Sequence, residues 1–380
     1  MNKPIDMDDQ EIHHIKKLIR ETSVEVDLTD RIMASYVQKE AKATRYSRVH
    51  QGWRRAMLSI ASAFAIVIIV TGTGFISPTL AASIKQIPGM DSIFKLAGDL
   101  GLKTADEKGL VTALDAWDTH DGLTLRATAV AFDGTRVSIG LKREFLDHVQ
   151  SGESLTAAVK DVKLSIGDKN IQTYSPKNTN SVGIFINAAQ DQDTAILQFA
   201  DLKNQGGEAF PDTFVLSLDF TVSGVQDPFK LTIPVAINTE NNRVLNPAIQ
   251  RKYEDLNLTL EKIEFTPITT NLTTRIELPE GMKIVELQSS QDSIGYDLFD
   301  ETGKKIKLIS GNGWSAENGN VLITDTRFEP FEFIPTSLTL KPYKYIYKDN
   351  DSNLFQLDPD GHVKVEYIPE LEITLPVVSQ

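Results

Sequence analysis

The chain has 380 residues, 39 Lys and Arg against 52 Asp and Glu, and a formal net charge of −13, which excludes a generally basic nucleic-acid binder. Hydrophobic residues make up 41% and charged residues 24%, as in ordinary globular proteins, so neither a disordered tail protein nor a polytopic transporter fits. Cysteine is absent, which removes disulfides, thiolate zinc sites, iron–sulfur clusters and thiol nucleophiles together.

From Asp8 to Arg20 the residues Ile12, Ile15, Leu18 and Ile19 stand at helical spacings, and Asp8 or Asp9 can cap the start. A second helix is predicted to begin near Asp27 to Thr29. In it Ile32, Met33, Tyr36 and Val37 recur at i, i+1, i+4 and i+5, an apolar stripe on an otherwise polar helix. Residues 1–55 offer at best a marginal core, so these helices need each other or a partner. Two readings stay open: an arm whose stripe binds a partner, or a helical stalk. His13 and His14 are adjacent and point to different faces, so they form no metal pair.

Residues 56–76 read AMLSIASAFAIVIIVTGTGFI, and no charge occurs between Ala56 and Ile84. As a helix this run spans roughly 31 Å, the thickness of a hydrocarbon core, and predicts a single transmembrane helix over 56–77. Lys39, Lys42, Arg45, Arg48, Arg54 and Arg55 face Glu40 alone on the near side, whereas Lys85 is the first charge on the far side. That bias puts the N-terminus in the cytoplasm. Arg45, Arg48, Arg54 and Arg55 form the membrane flank with Trp53, whose ring suits the headgroup level. A signal peptide cleaved near Thr79-Leu80-Ala81-Ala82 is the rival, disfavoured by so long a preceding segment. Residues 1–55 carry 11 basic and 9 acidic side chains, which leaves a net −15 beyond them. Such a surface repels wall polyanions.

Beyond the apolar run, Ser77-Pro78 starts a helix that carries Leu80, Ile84 and Ile87 and ends at Pro88-Gly89. Asp91 caps a second short helix with Ile93, Phe94 and Leu96, and Thr104 with Glu107 has the spacing of a capping box for a third turn. After Gly109 the rhythm becomes period 2. Residues 123–130 alternate, Phe132-Asp133-Gly134-Thr135 is a hairpin turn, and residues 137–142 resume the alternation. Strands are predicted at 159–166, 182–187, 194–200, 213–222 and 229–237. They restart at 252–266, 271–278, 283–289, 294–299, 304–309, 320–326, 336–347 and 363–375, on the far side of a polar loop at 238–247. A segment this long exceeds one core. The expected architecture is therefore mainly β: a cytoplasmic helical arm (1–55), a transmembrane helix (56–77), membrane-proximal helices plus a first β domain (78–240), and a second β-sandwich domain (245–380).

The run SPTLAASIKQIPGMDSIFKLAGDLGLKTADEKGL followed by FDGTRVSIGLK resembles the extracytoplasmic domain-of-unknown-function family 4179 of Gram-positive bacteria. Residues 245–380 resemble the β domain, family 5643, that often follows it. The likeness implies a membrane-anchored, anti-sigma-factor-like regulator of an extracytoplasmic-function sigma factor, and it implies no catalytic residues. The DLTDRIMASYVQKE helix is similar to the arms by which such regulators hold a sigma factor. Zinc-binding anti-sigma domains use a His-x3-Cys-x2-Cys pattern, which a chain without cysteine does not have.

Catalytic patterns are weak throughout. His120, His148 and His362 are widely spaced in sequence. Asp349-Asn350-Asp351-Ser352-Asn353 opens like a calcium loop, but Leu354 replaces the glycine and the closing Glu is missing. Asp358-Pro359-Asp360-Gly361 reads as a turn, and Gly311-Asn312-Gly313-Trp314 as a turn before a strand. Asp191 with Asp193, and Asp297 with Asp300, suit an acidic surface. Asn257, Asn271 and Asn350 head sequons that matter only where the cell glycosylates. No enzyme activity, cofactor or metal is expected. The expected partners are a cytoplasmic sigma factor, held by Ile32, Met33, Tyr36 and Val37, and the lipid bilayer, with no direct nucleic-acid contact and an envelope ligand the residues do not disclose. The competing reading is a non-signalling envelope protein whose β domains bind a wall component or another protein.

Overall fold

The computed structural model describes residues 93–96, 99–146, 152–189, 191–284, 293–315, 319–348, 351–359 and 361–377. The chain divides into two compact units, Met1–Ile76 and Ser77–Gln380, and every described residue lies in the second. The predicted arm, the apolar run and its basic flank fall outside the described residues. Among the described residues no helix is long and apolar enough to cross a membrane.

A 3-10 turn at Ile93–Leu96 precedes helix α1 (Leu100–Glu107). The Asp99 carboxylate caps this helix by accepting from the backbone N–H groups of Gly101 and Leu102. The helix thus starts ahead of the predicted capping box, leaving Thr104 inside it and Glu107 at its last position. A strong cap at Asp99, five residues upstream of Thr104, decides the register.

The first β module comprises β1 (Thr112–His120), β2 (Leu123–Phe132), β3 (Arg136–Phe145), a one-turn helix α2 (Leu155–Ala158), β4 (Val159–Ile166), β5 (Lys169–Asn170), β6 (Ile184–Ala188), β7 (Thr194–Ala200), β8 (Thr213–Val222) and β9 (Phe229–Ala236). Its strands form two antiparallel sheets, ordered β1-β2-β3-β7-β6 and β5-β4-β8-β9. Leu125, Val137, Ile139 and Leu197 of one sheet meet Leu164, Leu218, Phe220 and Ile233 of the other in a single core. β2 alternates from Leu123 to Thr128 and is then buried on both faces to Phe132. The second burial arises because Ala129 and Ala131 lie under Ile93, Phe94, Leu102 and Ala105.

The second module comprises β10 (Arg243–Leu245), β11 (Ile249–Tyr253), β12 (Leu256–Phe265), β13 (Thr270–Glu277), β14 (Ile294–Asp300), β15 (Lys305–Ile306), β16 (Leu308–Ser315), β17 (Val321–Phe328), β18 (Ser337–Tyr345), β19 (Tyr347–Lys348), β20 (Asp351–Phe355), β21 (Val365–Tyr367) and β22 (Ile373–Pro376). One sheet runs β10-β12-β13-β17-β16 with β11 beside β12, and the other runs β15-β14-β18-β21 with β22 beside β18. Leu258, Ile263 and Phe328 of the larger sheet pack on Leu298, Leu340 and Ile373 of the smaller.

Several predicted strands divide. The run 252–266 breaks at Glu254, which takes φ +50°, so that Tyr253 pairs back onto Leu256. The run 304–309 ends at Ile306, and a new strand carries Gly311-Asn312-Gly313-Trp314 in register with β17 rather than in a turn. Glycines inside a strand leave room for close approach by a neighbour. The run 363–375 is interrupted by the 3-10 turn Pro369–Leu371, since Pro369 has no N–H to give a ladder. The 238–247 loop holds β10, which joins the second sheet. The strand predicted at 283–289 falls largely outside the described residues.

Candidate functional site

Ile32, Met33, Tyr36, Val37, Arg45, Arg48, Trp53, Arg54 and Arg55 all lie outside the described residues. Of the other singled-out groups, His120 bonds Asp118 at 3.0 Å and stacks edge-on to Phe229 in the first module. His362 sits by the turn that Asp358 closes in the second. They do not converge, and His148 is outside the described residues. Among the described residues no cluster of three His, Asp or Glu is arranged to hold a metal ion. Asp193 pairs with Arg143 at 2.6 Å, Asp297 accepts from Tyr367 and Lys305, and Asp300 closes a turn through Thr302 and Lys304. These carboxylates serve the fold. Asn271, read as a sequon, is 1% exposed and bonds Glu264 and Asp325, so glycosylation there is incompatible with this packing.

The dense feature of the molecule is a buried polar joint where α1, the first module and the second module meet. Its first centre is Arg136, the last residue of the FDGTR hairpin and only 3% exposed. Its Nη1 and Nη2 donate to the two oxygens of Asp99 at 2.6 and 3.2 Å, Nε donates to Thr269 Oγ1 at 2.9 Å, and Nη2 also reaches the Ile268 carbonyl at 3.3 Å. One guanidinium therefore binds the helix cap and the loop joining β12 to β13, in the bidentate geometry that suits a buried carboxylate. Burial by itself would raise the Asp99 carboxyl, but the charge and hydrogen bonds of Arg136 outweigh it and hold the group below the ordinary 3.8. Arg136, for which burial works downward, is raised overall by the same carboxylate.

The hairpin turn itself is fixed by Asp133. Its Oδ1 accepts from Thr135 N, Thr135 Oγ1 and Arg136 N at 2.8, 2.8 and 3.0 Å, and its Oδ2 accepts from Thr266 Oγ1 of the second module at 2.7 Å. Gly101 of α1 lies so close to the second module that a Cβ there would fall 1.8 Å from the Ile268 carbonyl oxygen. Ile268 also belongs to the apolar cluster of Phe94, Leu102, Ala105, Ala129 and Ile196. Three parts of the chain thus share one small core.

The second centre lies on the outer face of the larger sheet of the second module. Asp325, fully buried, accepts from Thr273 Oγ1 at 2.6 Å and Asn271 Nδ2 at 3.1 Å, and from Gln205 Nε2 of the first module at 3.1 Å. Asn204 donates to Glu264 at 2.7 Å, Gln205 also reaches the Asn312 carbonyl at 3.3 Å, and Lys262 bonds both Asn204 and Glu264 at 3.0 Å. Asn204 and Gln205 are carried by the 3-10 turn Lys203–Gln205, which is held by Asp201. That carboxylate accepts from Lys203 N and Phe210 N at 2.9 and 3.2 Å, and burial pushes it up to about 6. Arg327, 1% exposed, donates to Asn312 Oδ1 and lies 3.8 Å from Asp325, while its Nε has no hydrogen-bond partner among the described residues. Burial holds its pKa below the usual arginine value, with Asp325 opposing.

Sequence reasoning missed this joint because its pairs are far apart: 99 with 136, 136 with 269, and 205 with 325. The usable signals were the Arg that closes the FDGTR hairpin and a polar face on β13 and β17 that reads as a solvent face.

No curated protein matches the sequence. The crystal structure of the conserved domain protein from Bacillus anthracis matches with a TM-score of 0.51 at 12% identity, covering 77% of this chain and 100% of that chain. That span is longer than either β module, so the likeness of fold extends over both. Bovine butyrophilin, with a TM-score of 0.17 at 7% identity over 66% of this chain and 95% of that chain, is too distant to bear on the fold. Two family models match, and residues 145–241, the remainder of the first module, fall outside both. The chain thus joins a Domain of unknown function (DUF4179) member over residues 52–144 to a member of the Family of unknown function (DUF5643) over residues 242–375.

Proposed function

We propose that the protein is a single-pass membrane regulator in which the β ectodomain senses an envelope condition and the N-terminal arm sequesters a cytoplasmic partner, an extracytoplasmic-function sigma factor. The observation that carries this reading is the joint. The segment that leads in from the apolar run is clamped to both β modules at once, through Asp99–Arg136 and through Gly101 against Ile268. A mere tether needs no such clamp. A device that passes orientation from ectodomain to membrane does, because a flexible connection transmits none. In the arm, the stripe of Ile32, Met33, Tyr36 and Val37 supplies the apolar face by which a short helix masks a partner's groove.

The test is capture of purified extracytoplasmic-function sigma factor by residues 1–55 alone. Replacing Ile32 and Tyr36 with Asp should abolish capture, each buried side chain contributing on the order of 1.5–3 kcal/mol. Capture that survives the double substitution assigns the binding elsewhere. Failure of the unaltered arm to bind favours the non-signalling envelope protein.

A further inference from the structure

We propose that Lys262 and Asn204 join in an isopeptide bond, with Glu264 as the group that moves the protons, so that a covalent bond ties the two β modules together across the joint. The three side chains form a closed triangle. Lys262 Nζ donates to Asn204 Oδ1 and to Glu264 Oε1, each at 3.0 Å, and Asn204 Nδ2 donates to Glu264 Oε2 at 2.7 Å. One carboxylate thus touches both the nitrogen that would enter the amide and the nitrogen that would leave it. A C=O bond is about 1.2 Å long, so Nζ lies within roughly 4.2 Å of the Asn204 carbonyl carbon, a short step from attack. Amides resist amines in free solution, but a pair held in place gains an effective concentration on the order of 10⁵ M or more.

The fold assembles this triangle from distant parts of the chain. β12 shifts register against β13 between Leu260 and Lys262, and such a bulge re-aims the side chains that follow it. Lys262 and Glu264, two residues apart, then share the outer face of the sheet while Ile263 stays in the core. Asn204 arrives from the first module on the 3-10 turn Lys203–Gln205. Glu264 is 6% exposed and also accepts from Asn271 Nδ2 at 3.1 Å, and Asn204 Nδ2 lies 3.4 Å from Asp325 Oδ1. Such burial keeps water from competing with the amine for the carbonyl carbon. The other amine nearby, Lys203, stands 3.9 Å from Glu264 but is drawn off by the Gly134 carbonyl at 2.6 Å.

The step balances without any further reactant. Glu264 takes a proton from the Lys262 ammonium, and the freed lone pair attacks Cγ of Asn204, forming the new C–N bond as the C=O bond opens. Glu264 then gives its proton to Nδ2 and takes the surplus proton from Nζ. The carbonyl re-forms, the Cγ–Nδ2 bond breaks, and the leaving ammonia carries that last proton away as ammonium, which returns Glu264 to the carboxylate. One side-chain ammonium is consumed for each ammonium ion released. The bond holds the Lys203–Gln205 turn on the second module even when the hydrogen bonds around it open.

Mass spectrometry of the purified full chain tests this. The parent should be lighter than its sequence by the mass of one ammonia, and its tryptic digest should contain residues 204–230 joined to residues 253–275, uncut at Lys262. Glu264→Gln keeps the shape but cannot take the proton, and Lys262→Arg keeps the charge but offers no amine. Both should have the full sequence mass and yield no branched peptide. A parent of full sequence mass, cut by trypsin at Lys262, would overturn the proposal. Loss of ammonia without the branched peptide, as when an asparagine closes on its own backbone, would overturn it too. Joining that persists in Lys262→Arg would move the amine to Lys203 and overturn the pairing, and joining that persists in Glu264→Gln would remove Glu264 from the step. The parent alone decides whether the bond exists, so a variant that fails to fold leaves the test standing.

Discussion

Replacing Asp99 with Asn isolates the charge that binds α1 to the β modules. Asparagine is as good an N-cap as aspartate, so the oxygen that accepts from Gly101 N at 2.9 Å is retained. What is lost is the negative charge beside Arg136 and the oxygen that accepts from its Nη1, so the guanidinium stays buried with only neutral acceptors close by, Thr269 Oγ1, the Ile268 carbonyl and the retained side-chain oxygen of residue 99. Removing one member of a buried pair costs about 3–5 kcal/mol. The Asp99 side chain keeps 15% exposure, so water solvates part of the stranded charge and the expected loss is about 3 kcal/mol. Asp99→Ala removes the cap too and should lie about 1 kcal/mol lower again. Urea unfolding of residues 77–380 reads both effects, with Trp117 reporting on the first module and Trp314 on the second. Because the carboxyl of Asp99 is held below its ordinary 3.8, its contribution is present above about pH 4 and is lost as pH falls through the lowered value; Asp99→Asn should lack that acid loss. A stability for Asp99→Asn within about 0.5 kcal/mol of the parent would refute the reasoning, since that is the ordinary effect of a surface change.

Three further outcomes are expected. Asp201, raised from 3.8 to about 6 by burial, binds its proton more tightly when folded, so its contribution to stability falls as pH rises from about 4 to about 6, by roughly 3 kcal/mol at most. A pH series of urea midpoints should show this slope in the parent and lose it in Asp201→Asn. Gly101→Ala is favoured by helix propensity by about 1 kcal/mol, yet its Cβ would meet the Ile268 carbonyl oxygen at 1.8 Å. We expect net destabilisation of about 1–3 kcal/mol in the same assay, and a stabilised variant would show that α1 does not pack there. A protease added to intact cells should remove residues beyond about 85 and spare the arm, as the positive flank requires; a protected large fragment would reverse the orientation.

Period-2 alternation made most strands of both modules legible, and the FDGTR hairpin was legible to the residue because Gly134 takes φ +88° between two alternating runs. Boundaries failed where a local device outweighed the pattern. Asp99 outcompeted the Thr104–Glu107 spacing as a helix start, Glu254 turned inside what reads as one long strand over 252–266, and the Gly311–Gly313 pair lay in a strand although glycine usually punctuates. The joint itself was illegible for another reason. Asn271, Thr273, Asp325 and Arg327 alternate with core residues as a solvent face would, and only the Lys203–Gln205 turn of the other module, some 60 to 120 positions away in sequence, buries them. The described β strands pack on two separate apolar cores within one compact unit.

If the clamp passes a signal from ectodomain to arm, a flexible Gly/Ser linker inserted between Ile76 and Ser77 should interrupt it. Such a linker leaves the Asp99–Arg136 joint and the arm intact but transmits no orientation. The measurement is expression of the sigma factor's target genes under envelope stress. The parent should respond and the linker variant should stay repressed, with the arm still holding its partner. A full response in the linker variant would contradict rigid coupling and place transmission in proteolysis or abundance instead.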